Sequence, residues 1–114
     1  NWLRCWFLGV DPTTVQISKH RTVEGWQSFI ASTLEELARI TRPDGHIAFE
    51  VGEVRNGTVR LEEHVIAAAA GLPLTTQGVM INQQDFTKTS NCWGVSNNTS
   101  GTNSNRIVIL RRSA

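Results

Sequence analysis

Apolar residues recur every three or four positions across residues 22–41, which is the period of an amphipathic helix. The repeating positions are Trp26, Phe29, Ile30, Leu34, Leu37, Ala38 and Ile40. Thr22 is a suitable N-cap, and the turn residues 43–45 (Pro-Asp-Gly) end the pattern. We therefore predict one long helix whose Trp26 and Phe29 point into the core.

The rest of the pattern predicts shorter elements. They are a helix at Trp2–Leu8, a strand at His46–Val51, a helix at Leu61–Ala70 capped by Gly71, and strands at Gly78–Ile81 and Arg106–Leu110. Helices that alternate with strands in this way are typical of an α/β sheet. The same alternation predicts that the first two strands are parallel and joined by a right-handed crossover.

A long polar loop, residues 84–105, separates the last two predicted strands. In residues 90–105, thirteen of sixteen are Asn, Ser, Thr or Gly, and the exceptions are Cys92, Trp93 and Val95. Polar neutral side chains can contact phosphate, sugar and base edges, and a Trp can stack on a base. A connector in which Trp93 packs back on the core is an equally open interpretation.

Composition places the chain as one domain, residues 1–114, with 39% apolar residues, which excludes a wholly disordered chain. No segment approaches the ~18 apolar residues of a membrane span. Residues 1–85 carry seven basic and ten acidic residues, a balance of −3, whereas residues 86–114 carry four basic residues and no acid. This tail could face phosphates, or it could be an ordinary solvated end of the chain.

Cysteine and histidine positions argue against a metal site. Cys5 and Cys92 are far apart, and His20, His46 and His64 lack the spacing of metal ligands. No secretory leader is visible at the start of the sequence. We therefore expect a cytoplasmic protein with both cysteines reduced, although two cysteines could also form one disulfide.

Six segments, spread nearly from end to end, carry a family resemblance. They are residues 1–9 (NWLRCWFLG), 34–52, 86–91 with the following Trp-Gly at 93–94, 97–98, 101–103 and 105–108. Together they resemble the C-terminal half of bacterial and phage DNA methyltransferases, which use S-adenosylmethionine to methylate exocyclic amines of adenine or cytosine. The resemblance implies class I methyltransferase ancestry and DNA as a partner.

The fold that this resemblance implies is a seven-stranded sheet of order 3-2-1-4-5-7-6 with strand seven antiparallel. His46–Val51 is similar to strand five, Gly78–Asn82 to strand six, and Arg106–Leu110 to strand seven. We therefore expect a partial Rossmann-like methyltransferase sheet of about three strands, two parallel and the last antiparallel, with two to three helices.

Two motifs of the family are missing from this sequence. No Gly-rich cofactor loop follows a strand, and Pro12, Pro43 and Pro73 are isolated, so the acidic-or-Asn, Pro-Pro, aromatic motif that holds the target amine is absent. A Pro-Cys pair is also missing, which argues against Cys92 as a nucleophile. The resemblance thus implies a truncated chain, such as a remnant or a mobile-element product, without catalytic or cofactor-binding residues. S-adenosylmethionine is implied only for a complete enzyme.

The resemblance and the polar loop together predict a surface that meets DNA. The expected nucleic-acid-binding residues are Lys88, Asn91, Trp93, Asn97, Asn98, Asn103, Asn105 and Arg106. In a complete enzyme the target base would be flipped out of the duplex for methyl transfer. Glu50, Glu53 and Arg55 could border that pocket, although a solvated turn is the favoured interpretation. The alternative function is a small non-catalytic nucleic-acid-binding or protein-interaction module.

The predicted strand His46–Val51 is apolar on both faces, as central parallel strands are. The resemblance implies a neighbouring strand that this chain lacks, which would leave one edge unpaired. We therefore expect a homodimer joined through this edge or through exchange of Trp2–Leu8. The rival expectation is a monomer whose N-terminal segment folds back over the edge.

Overall fold

The computed structural model describes residues 2–52, 58–83 and 104–114. Its elements are α1 (Trp2–Leu8), a 3-10 turn (Pro12–Thr14), α2 (Val23–Ile40), β1 (His46–Gly52), α3 (Leu61–Ala69), β2 (Leu74–Gln83) and β3 (Ser104–Arg112). The predicted α/β class is therefore confirmed, as is each predicted helix and strand. Both β2 and β3 extend further than the apolar runs that predicted them.

Helix α2 supplies much of the core. The hydroxyl of Thr22 accepts a hydrogen bond from the backbone N–H of Gly25 at 3.1 Å, as predicted for the N-cap. The buried residues of the helix are Ile30, Leu34 and Ala38. Because three- and four-residue spacing places these side chains on one stripe, the helix buries one face and leaves the other in water.

Phe29 is a correction to the predicted core. Trp26 packs against the core as expected, but Phe29 is 42% exposed. A helix turns by about 100° per residue, so Phe29 lies on the flank of the buried stripe that Ile30 occupies. Its ring instead lies 4.9 Å from the ring of His20, measured between centroids.

The sheet has the order β1-β3-β2, and both of its ladders are antiparallel. The two strands predicted to be parallel form no parallel ladder, because β3 lies between β1 and β2 and forms hydrogen bonds with both, although β1 and β2 point in the same direction. The β1–β3 register is regular from His46 opposite Arg111 to Gly52 opposite Asn105. The β2–β3 register shifts between Thr76 and Gly78, as at a bulge.

The two faces of the sheet differ in burial. Helices α2 and α3 pack on one face, which we call the inner face, and the shared core consists of Ile30, Leu34, Ile47, Val51, Val65, Ala68, Ala69, Val108 and Leu110. On the opposite face, the outer face, Ala48 and Met80 are exposed. Burial alternates along β1, so this strand, predicted to be apolar on both faces like a central parallel strand, is covered on its inner face only.

Helix α1 contributes no residue to that core cluster. Its side chains Trp2, Leu3, Trp6, Phe7 and Leu8 are exposed, and Cys5 is buried. Behind it, Asp11 caps the 3-10 turn: the backbone N–H of Thr13, and then its hydroxyl, hold the pKa of the Asp11 carboxyl below its usual value. The N-terminal segment is thus locally ordered by its own contacts.

A tight turn joins α2 to β1 and leaves no space for a side chain at Gly45. A Cβ atom there would lie 2.7 Å from Cγ2 of Thr41 and 2.8 Å from the carbonyl oxygen of Arg42. The Gly45 N–H donates to that same carbonyl at 2.9 Å, and Asp44 adopts the left-handed conformation with φ 60°. Close backbone approach, rather than a positive φ, therefore requires glycine at position 45.

We predict that Gly45→Ala lowers the free energy of unfolding by about 1–3 kcal/mol, because the added methyl group overlaps the Arg42 carbonyl oxygen and the Thr41 side chain. Gly78→Ala is the matched control, since nothing lies within 4 Å of a Cβ at that position, and it should change stability by less than about 0.5 kcal/mol. Urea denaturation of both variants measures this. Equal losses would contradict the close-approach explanation.

Candidate nucleic-acid interface

Strands β1 and β2 end, and β3 begins, at the same end of the sheet. There Asn105 lies between Gly52 of β1 and Asn82 of β2, and Ser104 lies opposite Gln83. We call this the loop end, because the polar segment with most of the predicted nucleic-acid-binding residues follows Gln83 and precedes Ser104. The α3 helix begins nearby, at Leu61.

An ion pair between α3 and β3 lies at the loop end. The Nε atom of Arg106 is 2.9 Å from Oε1 of Glu62, and the two side chains are only 20% and 13% exposed. The Nη1 group of Arg106 also donates a hydrogen bond to the hydroxyl of Ser104 at 2.7 Å. Glu62 stands in the first turn of α3, where a negative charge interacts favourably with the helix dipole.

The pair is close but not fully hydrogen-bonded. Among the described residues, neither Nε of Arg106 nor Oε2 of Glu62 has a hydrogen-bond partner by geometry, so the 2.9 Å approach is an ionic contact rather than a directed hydrogen bond. Removing either partner would leave a partly buried charge without compensation. The arrangement therefore ties the start of β3 to the start of α3 and neutralises the Arg106 charge internally.

The structure describes only two of the predicted nucleic-acid-binding residues. Asn105 is half-buried in β3, and Arg106 is the partner of Glu62. The others, Lys88, Asn91, Trp93, Asn97, Asn98 and Asn103, lie outside the described residues. Because Ser104 and Asn105 belong to β3, the predicted boundary of the loop at 105 is two residues too late. Contact of any of these residues with DNA stays a prediction.

The side chains predicted around the end of β1 are described only in part. Glu50 lies on the outer face and is exposed, opposite Ile107. Glu53 and Arg55 lie outside the described residues. No described contact assigns Glu50 to a pocket, so the solvated interpretation of Glu50 agrees with its exposure.

The basic tail does not form one patch within the described residues. Arg111 donates to the carboxylate of Asp44 at 2.7 Å, and Arg112 donates to the carbonyl oxygen of Thr41. Both contacts lie at the opposite end of β3 from Arg106, and five residues of strand span roughly 17 Å. The three arginines of this tail therefore contact neighbouring elements of the same chain, at two opposite ends of the sheet.

Sequence reasoning missed the role of Glu62. The sequence pattern places Glu62 in the first turn of a predicted helix, and nothing in the local pattern connects positions 62 and 106. Arg106 itself indicated that a partner exists. It is a charged residue at the start of an apolar strand, and a charged side chain on the buried face of a strand needs an opposite charge or a hydrogen bond. Nothing in the local sequence pattern connects His64 with Gln27 either. Their side chains nevertheless lie 2.8 Å apart between α3 and α2, measured from Nδ1 of His64 to Oε1 of Gln27.

The described residues contain no group of three side chains suited to holding a metal ion. No described helix is both long and apolar enough to cross a membrane. No protein-family model, curated protein or solved structure matches this chain.

We predict that Glu62→Gln and Arg106→Met each lower the free energy of unfolding by about 2–4 kcal/mol, because each leaves a partly buried partner uncompensated. The double variant should lose less than the sum, with a coupling of about 1–3 kcal/mol. Glu63→Gln is the control, since its pair with Arg60 is about two-thirds exposed and should contribute less than about 1 kcal/mol. Additive losses in denaturant unfolding would mean that the pair is not coupled.

Proposed function

We propose that this chain is a portion of a class I S-adenosylmethionine-dependent DNA amino-methyltransferase fold that binds nucleic acid but does not transfer a methyl group by itself. Three groups of observations support the proposal: the strand order, the missing chemistry, and the position of the predicted binding residues. The strand order is the main support for the proposal.

The order of the strands in the sheet cannot be predicted from a local sequence pattern alone. Since β1 and β2 are each antiparallel to β3, they point in the same direction with a reversed strand inserted between them. The family sheet that the sequence resembles ends in the order five, seven, six, with strand seven reversed. The assignments made from the sequence (β1 as five, β2 as six, β3 as seven) require this arrangement, so the observed order supports the resemblance and the Rossmann-like origin of the sheet.

The missing motifs limit the proposed chemistry. Methyl transfer to an exocyclic amine needs a bound cofactor and a group that holds the amine beside it, and the sequence has neither the Gly-rich loop nor the Pro-Pro motif. Among the described residues at the loop end, Arg106 is paired with Glu62 and Arg60 with Glu63, and Glu50 is exposed on the outer face. The proposal therefore assigns no catalytic residue to this chain, and a complete enzyme would obtain both motifs elsewhere.

The loop end is the favoured place for nucleic acid. In the open α/β sheet that the proposal implies, ligands bind beyond the carboxyl ends of the parallel strands, and β1 and β2 both end there. Because Arg106 is neutralised by Glu62, binding rests on Lys88 for phosphate contact and on Trp93 and the asparagines for base contact. Without an acid in residues 86–114, that segment has no like-charge repulsion toward phosphate.

We predict that the chain binds duplex DNA with an affinity that falls steeply as salt rises, because phosphate contacts release counterions. Lys88→Ala should lower the slope of log affinity against log salt by about 1, and Trp93→Ala should weaken binding without changing the slope. Arg111→Ala, whose side chain pairs with Asp44, should leave both unchanged. Fluorescence anisotropy at several salt concentrations measures all three; absence of binding would refute the nucleic-acid role.

We predict no transfer of labelled methyl groups when the chain is incubated with S-adenosylmethionine and DNA, because neither family motif is present. Scintillation counting of the recovered DNA measures the transfer. Label in the DNA would contradict the non-catalytic assignment, whereas DNA binding without label would support it.

A further inference from the structure

Arg106 is the arginine of the basic tail that lies at the loop end, where the proposed function places nucleic acid. It is in register with Val51 of β1 and with Ile81 of β2, so its side chain lies on the inner face of the sheet. Val51 is buried, whereas Ile81 is 61% exposed. The helices therefore cover Arg106 on the side of β1 and leave the side of β2 open to water.

The guanidinium of Arg106 is only partly used by its contacts within the chain. Arginine has several N–H donors in a planar fork, and it binds carboxylates and phosphates best through two parallel hydrogen bonds. Here Nη1 donates to the hydroxyl of Ser104, while Nε lies 2.9 Å from Oε1 of Glu62 without a directed hydrogen bond. Oε2 of Glu62 is buried and has no hydrogen-bond partner among the described residues. Glu62 thus neutralises the charge of Arg106 without the two-bond geometry that a phosphate could make with the same group.

We propose that Glu62 is an autoinhibitory residue, which occupies the guanidinium of Arg106 and so withholds this cation from the phosphates of nucleic acid. The inference rests on the proposed function, because it concerns the regulation of the same loop end. A carboxylate and a phosphate compete for the same guanidinium donors. With the pair closed, the chain binds nucleic acid more weakly than its charges allow. Loss of the Glu62 charge uncovers one further phosphate contact, which Arg106 reaches on the open side of β3.

The neighbouring residue Glu63 provides a matched comparison. It lies in the same first turn of α3 and has the same charge, but its pair with Arg60 is about two-thirds exposed. Water screens this pair, so Arg60 is accessible to phosphate whether or not Glu63 is present. Repulsion between helix charge and phosphate would be similar for the two glutamates, whereas the shielding of Arg106 is specific to Glu62.

The test compares the binding of a short duplex DNA by the unsubstituted chain, by Glu62→Gln and by Glu63→Gln. Glu62→Gln should raise the affinity about tenfold at low salt, as expected for one added charge-assisted hydrogen bond. It should also steepen the slope of log affinity against log salt by about 1, because one more phosphate is neutralised. Glu63→Gln should change the affinity by less than about threefold and leave the slope unchanged. Adding Arg106→Gln to Glu62→Gln should remove the gain, since the uncovered cation is then missing.

Fluorescence anisotropy at several salt concentrations gives both quantities, with circular dichroism as the check that each variant is folded. Because Glu62→Gln should also lower stability, a second measurement uses the unsubstituted chain. The Nε–H resonance of Arg106 is assigned by its absence from the spectrum of Arg106→Lys. It should keep its position when the duplex is added, since the pair with Glu62 stays closed.

Three results would overturn the shielding and leave the proposed function intact. The first is an equal change of affinity and slope in Glu62→Gln and Glu63→Gln, and the second is a gain that persists when Arg106→Gln is added. The third is a shift of the Arg106 resonance on adding DNA, as large as the shift that Glu62→Gln causes, because phosphate would then displace Glu62 unaided. Absence of binding by the unsubstituted chain and by every variant would instead refute the proposed function, and the shielding with it. Binding that is detected only in Glu62→Gln would support the shielding.

Discussion

The insertion of β3 between β1 and β2 is the constraint on which the rest of the molecule depends. A single strand supplies the hydrogen-bond partners of both neighbours, and its Val108 and Leu110 are fully buried beneath the helices. Neither β1 nor β2 has another strand partner among the described residues. Because β3 follows both of its partner strands in the sequence and is separated from each by many residues, every contact between strands is long-range.

The position of each arginine along β3 also determines which acidic residue it contacts. Its two ends contain arginines that stabilise the sheet by reaching neighbouring elements: Arg106 contacts Glu62 at the start of α3, and Arg111 contacts Asp44 in the turn after α2. The first pair is partly buried, so removing one of its partners should cost more stability than removing one partner of the second pair, which water screens. A charge count along the sequence indicates a basic tail, whereas the tertiary contacts show arginines that already have partners.

Apolar surface is distributed unevenly in this small protein. The inner face of the sheet and the facing sides of α2 and α3 form the core, while α1 and the flank of α2 leave large apolar side chains exposed. A domain of this size buries a smaller fraction of its apolar surface than a larger one does. Large apolar side chains that stay exposed, such as the Trp and Phe side chains of α1, favour association with another surface.

The sequence by itself determined the elements, since helical and strand periodicity, the Thr22 cap and the Pro-Asp-Gly turn are local signals. The resemblance added strand assignments, on which the proposed function rests, and alternation alone had predicted that the first two strands are parallel. Only the tertiary structure decided which strands pair, that Phe29 lies outside the core, and that Glu62 neutralises Arg106. The reason is physical: periodicity reports which side of an element is apolar, but partners 37 to 71 residues apart along the chain meet only through packing.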